Sequence, residues 1–271
     1  MNIAFIGGGN MADALLGGLL AKGFAPASLR VVEIDAAARE RIEKKYPGLR
    51  AFASAREALR AGDIVVFAVK PQQMKEAVLA CGLAKDANLV ISIAAGITLS
   101  TLSRWLLGHQ RLVRVMPNTP SLIGAGIAGL LAAPGASAED MKAAEAIIGA
   151  VGKSVRVATE ADIDTVTAVS ASGPAYVFWF IEQLAKSGEA LGLRPDTAKT
   201  LAIETVLGAA KLAAQSSEPP SVLRERVTSK GGTTAAALKV FDEAKLAEGF
   251  RRAVEAAKRR GAEMGEEMGR D

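Results

Sequence analysis

Residues 7–12 read Gly-Gly-Gly-Asn-Met-Ala and directly follow the apolar run Ile3–Ile6. The spacing is G-x-G-x-x-A, and each small residue in it has a physical task. Gly7 permits a tight turn, Gly9 offers backbone with no side chain in front of it, and Ala12 lets the next segment pack closely. A helix that opens through Asn10 and Met11 turns free N–H groups toward negative charge. The chemistry this suits is capture of a pyrophosphate, and so of a dinucleotide such as NADH or NADPH. Glu33, at the end of the second β-rich run, stands where an acidic residue holds the adenosine ribose. A carboxylate there repels a 2′-phosphate and leans the choice toward NADH. Arg39 and Arg41 could swing toward a phosphate, and Glu33 or Asp35 could instead cap the helix that follows.

Four further stretches have unusual chemistry. Ala68-Val69-Lys70-Pro71-Gln72 comes directly after the third strand-like run, at the edge where ligands lie in parallel sheets. Pro71 sets a rigid turn and can open a helix. Lys70 there is either a direct participant or a solvated strand-end lysine. Met116-Pro117-Asn118-Thr119-Pro120 is a stiff loop after another strand-like run, and Asn118 could bond a nicotinamide amide or simply shape a turn. Ser170-Ala-Ser-Gly-Pro174 and Val227-Thr-Ser-Lys-Gly-Gly-Thr-Thr234 interrupt apolar helical sequence with small hydroxyls. In the second, Gly231-Gly232 before a helix exposes N–H donors suited to a small carboxylate, although a plain helix cap reads the same way.

The elements that must position these residues follow from periodicity. Strands are expected at Ile3–Ile6, Leu29–Glu33, Ile64–Val69, Leu89–Ile93 and Leu112–Met116, alternating with helical patterns, as in a doubly wound parallel sheet. Thr98 reads as the N-cap of a helix between the last two of these. Strand-like runs at Gly126–Leu131 and Ser154–Val157 flank a helix that opens with capping-box spacing at Ser137–Asp140. Thr159–Asp162 repeats that spacing, and helices follow to the end of the chain. The domain boundary is therefore expected at Ala158. Phe178, Trp179, Phe180 and Ile181 form a bulky cluster suited to a core or an oligomer interface.

Composition removes several function classes. Half of the 271 residues are apolar, which supports a large buried core. The net charge is +4 and the longest basic run is Lys258-Arg259-Arg260, too little for a nucleic-acid surface. One cysteine, Cys81, excludes an internal disulfide, and one histidine, His109, leaves no His/Cys zinc cage, so no metal site is expected. Side chains cannot carry hydride, so redox chemistry would come from an organic coenzyme. No signal-peptide order or membrane-spanning run is visible, and a cytoplasmic setting is expected.

Taken in this order and at these distances, the motifs resemble those of pyrroline-5-carboxylate reductases, from the first residues to about Val254. The likeness rests on Gly7–Ala12, Ala68–Gln72, Val115–Pro120, Ser172–Tyr176 and Val227–Thr234. It implies an α/β fold: a Rossmann-type NAD(P)-binding parallel-sheet domain over residues 1–158 and an all-helical dimerisation and substrate domain over 159–271. It also implies homodimers that assemble into homodecamers, with the active site between the nucleotide domain and the helical dimer. By the same likeness, Ser229, Gly232, Thr233 and Thr234 hold the substrate's carboxylate and ring nitrogen, with Thr234 beside the nitrogen. Val69, Lys70 and Pro71 line the nicotinamide. The sequence departs from the family at Glu33-Ile34, where many members carry Asn, Ser or Arg, and at Lys230, where others often have proline.

The expected reaction is hydride transfer from NADH or NADPH to the cyclic imine, giving L-proline. A protonated imine is already electrophilic, so orientation and carboxylate capture matter more than a strong acid. Two other classes share parts of this pattern. A β-hydroxyacid dehydrogenase needs a lysine a few residues after its glycine-rich helix start, and the first lysine after Gly173-Pro174 is Lys186. A non-catalytic NAD-binding scaffold leaves both hydroxyl-glycine stretches without a task.

Overall fold

The computed structural model describes residues 1–270. Eight strands form one sheet: β1 Ile3–Ile6, β2 Leu29–Val32, β3 Arg50–Phe52, β4 Ile64–Phe67, β5 Leu89–Ser92, β6 Leu112–Met116, β7 Gly126–Ala132 and β8 Gly152–Arg156. Around them lie α1 Asn10–Ala21, α2 Ala36–Lys45, α3 Ala55–Ala58, α4 Pro71–Cys81, α5 Leu99–Trp105, α6 Ala138–Ile148 and α7 Glu160–Val166. The chain continues as α8 Gly173–Ala190, α9 Pro195–Gln215, α10 Pro220–Arg226, α11 Thr233–Glu243 and α12 Leu246–Gly269. Among the described residues no helix is long and apolar enough to cross a membrane.

The sheet order is β3-β2-β1-β4-β5-β6-β7-β8. β1 and β4 are buried along their whole length because helices cover both faces, and successive residues feed opposite cores. Phe5 and Val66 pack with Leu15 and Leu19 of α1 on one face, whereas Ile6, Val65 and Phe67 pack with Met74 and Val78 of α4 on the other. Both expected capping boxes form, at Ser137/Asp140 and at Thr159/Asp162, and Thr98 caps α5 through Thr101 N–H.

The expected parallel sheet forms, and it ends in one reversal at its edge. β1 to β6 are parallel, but β7 runs antiparallel to β6, and β8 is parallel to β7. The link from β6 to β7 is a short turn around the helical residues Thr119–Ile123. A parallel return needs a crossover of roughly a dozen residues or more, so this short link forces the chain to reverse.

By compactness the chain divides into two units, Met1–Ser172 together with the last helix from Ala257 onward, and Gly173–Ala256. This division falls later than Ala158. Helix α7 belongs to the sheet unit because Ile163, fully buried, packs with Met116 and Leu131. The end of α12 also returns to that unit, where Met268 joins the α4/α5 core and Arg104 donates to the Gly269 carbonyl at 2.6 Å.

The lone histidine ties two loops of the sheet unit together. His109 is fully buried, and its Nδ1 accepts from Asp86 N–H at 3.0 Å while Nε2 lies 2.9 Å from the Asn88 carbonyl. Neutral imidazole, protonated on Nε2, satisfies both. His109→Leu is expected to strand both backbone groups and cost about 2–4 kcal/mol, visible as a lower urea midpoint with an unchanged slope. An unchanged midpoint would show that the two loops hold without the ring.

Candidate active site

The glycine turn follows β1 directly. Gly7 has φ +98° and donates its N–H to the Val32 carbonyl at 2.8 Å. A Cβ on Gly7 would lie 2.8 Å from Val69 Cγ1 and 2.9 Å from the Ala68 carbonyl oxygen, so the turn nests against the end of β4. Gly9 is different: a Cβ there would meet nothing within 4 Å. The space before Gly9 is open, and Gly9 caps α1 with no side-chain hydrogen bond, so the first-turn N–H groups of Asn10 and Met11 have no side-chain acceptor. Ala12 is fully buried against the sheet. Open backbone, uncapped donors and a close-packed helix together fit a dinucleotide pyrophosphate.

Glu33 sits just past β2 and is held from two sides. Its Oε2 accepts from Gly8 N–H at 2.9 Å and its Oε1 from Asp35 N–H at 3.0 Å. The capping task falls to Asp35, whose side chain accepts from Ala37 N–H at 2.9 Å. Arg39 is drawn the other way, its Nη1 donating to the Glu33 and Ile34 carbonyls at 2.8 and 2.9 Å. A cleft of about 270 Å³ opens beside the turn, lined by Gly7, Glu33, Ile34, Val69 and one face of α4. That face carries Gln73, Glu76, Ala77 and Ala80, which the sequence reading missed. Their i, i+3, i+4, i+7 spacing from Gln73 is the signal that would have found them. Cys81 closes the cleft, and burial pushes its thiol up to about 12, so it is an inert wall rather than a nucleophile.

At the carboxyl edge, Val69 is half-buried against the glycine turn, Lys70 is exposed at the N-cap of α4, and Pro71 occupies the helix's first position. Asn118 is almost buried after β6. Its Oδ1 accepts from Ile127 N–H at 3.0 Å and its Nδ2 donates to Ser170 Oγ at 3.3 Å. The amide thus braces the turn into β7, which the sequence could not distinguish from a ligand contact. Residues Thr167–Ala171 form a π-helical turn between α7 and α8.

In the helical unit, Gly231 has φ +73° and Gly232 caps α11 with no side-chain hydrogen bond. A Cβ on Gly232 would lie 2.4 Å from Ser229 Oγ, so only glycine lets that hydroxyl fold over the helix start. Ser229 and Thr233 are exposed and Thr234 is half-buried. Four sequence-predicted residues are therefore brought to one helix N-terminus with free donors.

A larger groove of about 490 Å³ lies among α5, α7 and the end of α12. Its central charges are already paired, since Glu160 accepts from Leu99 N–H at 2.7 Å and pairs with Arg114. Burial raises the Asp164 carboxyl there. The smaller cleft, which the glycine turn and Glu33 line, is the one with ligand chemistry.

Two family models match successive parts of the chain. The family model described as NADP oxidoreductase, coenzyme F420-dependent, matches residues 2–96, and that described as pyrroline-5-carboxylate reductase dimerisation matches 160–264. A pyrroline-5-carboxylate reductase of Pseudomonas aeruginosa is 44% identical over 98% of both chains. A solved structure of a Coxiella burnetii pyrroline-5-carboxylate reductase is 39% identical, with a TM-score of 0.91 over 97% of this chain and 98% of its own. The Plasmodium falciparum pyrroline carboxylate reductase, solved with NADP bound, is 30% identical with a TM-score of 0.84 over 98% of both chains. A phosphate-ready turn on the sheet, a donor-rich helix start in the helical unit and likeness along nearly the whole chain converge, and the chain belongs to the pyrroline-5-carboxylate reductase family.

Proposed function

We propose that this chain reduces 1-pyrroline-5-carboxylate to L-proline, the last step of proline biosynthesis, with NADH or NADPH as reductant. The observation that carries the reading is the start of α11, where Gly232 leaves the helix donors uncapped beside the hydroxyls of Ser229, Thr233 and Thr234. A helix N-terminus of this kind suits a small carboxylate. When bound, the coenzyme supplies a hydride to C5 of the protonated imine, the C=N π pair moves onto nitrogen, and the products are the secondary amine and NAD(P)⁺.

The chain's own residues then have limited tasks. Gly7, Gly9, Asn10 and Met11 hold the pyrophosphate, and Glu33 holds the ribose of the adenosine half. Val69, Lys70 and Pro71 line the nicotinamide, while Asn118 keeps the neighbouring loop in shape. Ser229, Gly232, Thr233 and Thr234 hold the carboxylate and orient the ring nitrogen. Thr234 Oγ1 is the catalytic group, accepting or returning the hydrogen on that nitrogen through a hydrogen bond. Threonine is a weak acid, so its contribution is orientation more than proton donation. His109 has both nitrogens committed to backbone groups and takes no part.

Thr234→Ala is expected to lower turnover about 10- to 100-fold with an unchanged melting temperature, and Thr234→Ser to restore most of it. The loss of reduced-nicotinamide absorbance with purified protein and 1-pyrroline-5-carboxylate tests both the reaction and the residue. Coenzyme binding without turnover would overturn the substrate; full turnover by Thr234→Ala would overturn the role. The helical unit pairs with a second copy, such dimers assemble into a decamer, and the compartment is the cytoplasm. Light scattering on the purified protein separates dimer from decamer.

A further inference from the structure

The cleft beside the glycine turn differs in sign from one that would welcome a phosphate. It is lined by two carboxylates, Glu33 and Glu76, and by no lysine or arginine. Glu33 cannot swing out of the way freely, because each of its oxygens accepts a backbone N–H, from Gly8 on one side and Asp35 on the other. Its carboxylate is thereby fixed to the same loop that would hold the pyrophosphate. Of the nearby cations, Arg39 is committed to the Glu33 and Ile34 carbonyls, and Arg41 and Arg56, exposed on α2 and α3, are not part of the cleft wall.

We infer that this cleft selects NADH over NADPH, with Glu33 as the specificity-determining residue and Glu76 as a second, weaker barrier to a 2′-phosphate. The inference rests on the reading of Gly7–Ala12 as a dinucleotide site and concerns only its adenosine half. The physical basis has two parts. A fixed carboxylate accepts hydrogen bonds from a ribose diol, and a 2′-phosphate removes one of those hydroxyl donors. The phosphate also brings negative charge next to two carboxylates with no cation to neutralise it. Each oxygen of Glu33 has a lone-pair site beyond the one used by the backbone, so the diol does not have to break the existing bonds.

Titration calorimetry with ADP-ribose and 2′-phospho-ADP-ribose reads this half of the site with no turnover, and the same titration with NADH and NADPH reads the whole coenzyme. The native protein is expected to bind each unphosphorylated ligand about 30-fold more tightly than its phosphorylated counterpart. Glu33→Gln, which keeps the size and removes the charge, is expected to bring the ratio to within about threefold. Glu76→Gln is expected to improve only the phosphorylated ligands, by about threefold. Equal or tighter binding of the phosphorylated ligands by the native protein overturns the inference. So does an unchanged ratio in Glu33→Gln with the melting temperature preserved. Failure of all four ligands to bind would instead overturn the dinucleotide reading beneath it, and the proposal with it.

Discussion

Gly9→Val is expected to weaken coenzyme binding by about 100-fold or more while lowering the melting temperature by no more than about 4 °C. The two halves of that expectation come from one geometric fact. A Cβ at Gly9 meets no atom within 4 Å, and Gly9 already has φ −74° and ψ −177°, an extended conformation that valine adopts readily. The folded protein therefore loses little beyond a modest N-cap preference. In the proposed site a pyrophosphate approaches the N–H groups of Asn10 and Met11 through this open space, and two methyl groups there would block it. Gly7→Val makes the contrast. Its φ of +98° is costly for any other residue, and its Cβ would sit 2.8 Å from Val69 Cγ1. That variant is expected to lose about 3 kcal/mol or more of stability as well as binding. Calorimetry with NADH and a thermal melt on both variants decide the matter. Tight binding by Gly9→Val would mean that the coenzyme does not lie over this turn.

The same pair of glycines explains why so much of the nucleotide unit was legible in the sequence. Tight turns, close approaches and fully buried strands leave few residue choices, so Ile3–Ile6, Gly7–Ala12 and Ile64–Phe67 announce themselves by type and order. The capping pairs Ser137/Asp140 and Thr159/Asp162 were readable for the same reason, because each cap bond is local. What the sequence hid was decided by distance. β3, only Arg50–Phe52, exists because it pairs with the edge of β2, and three residues carry no period. The reversal at β7 depends on how far a nine-residue link can reach. That α7 packs with the sheet depends on Ile163 finding Met116 and Leu131, which nothing in α7 itself declares. In the site, Glu33 was visible by position, whereas the bonds that hold it to Gly8 and the second carboxylate at Glu76 appear only when α4 is laid beside the turn.

Trp179→Asp is expected to weaken self-association of the chain by about 100-fold or more, because the helical unit leaves its large apolar side chains unburied. Among the described residues of Gly173–Ala256, the buried apolar residues are Ala198 and Ala202. Helices α8 and α9 approach through small residues: a Cβ on Gly188 would lie 3.2 Å from Ala198 Cβ. The large side chains are left outside, with Phe178 65%, Trp179 57% and Phe180 46% exposed on α8, and Phe250 57% on α12. Tyr176 packs edge-on to Phe250 at 6.0 Å, and its buried hydroxyl has no hydrogen-bond partner. Apolar surface on this scale and an unsatisfied buried hydroxyl are the marks of a half-built core. The match of residues 160–264 to a reductase dimerisation family supports another copy of the same chain as the missing half. An aspartate within that surface must be buried unpaired or keep the copies apart, and dissociation costs less. Sedimentation should then show a lighter species, and far-UV dichroism a loss of helix, because α8 to α11 have too little core to hold alone. The sheet unit has two buried cores of its own and should keep its coenzyme affinity. If the mass and the helix content of Trp179→Asp both stay at the native values, the exposed side chains of α8 are not what joins the copies.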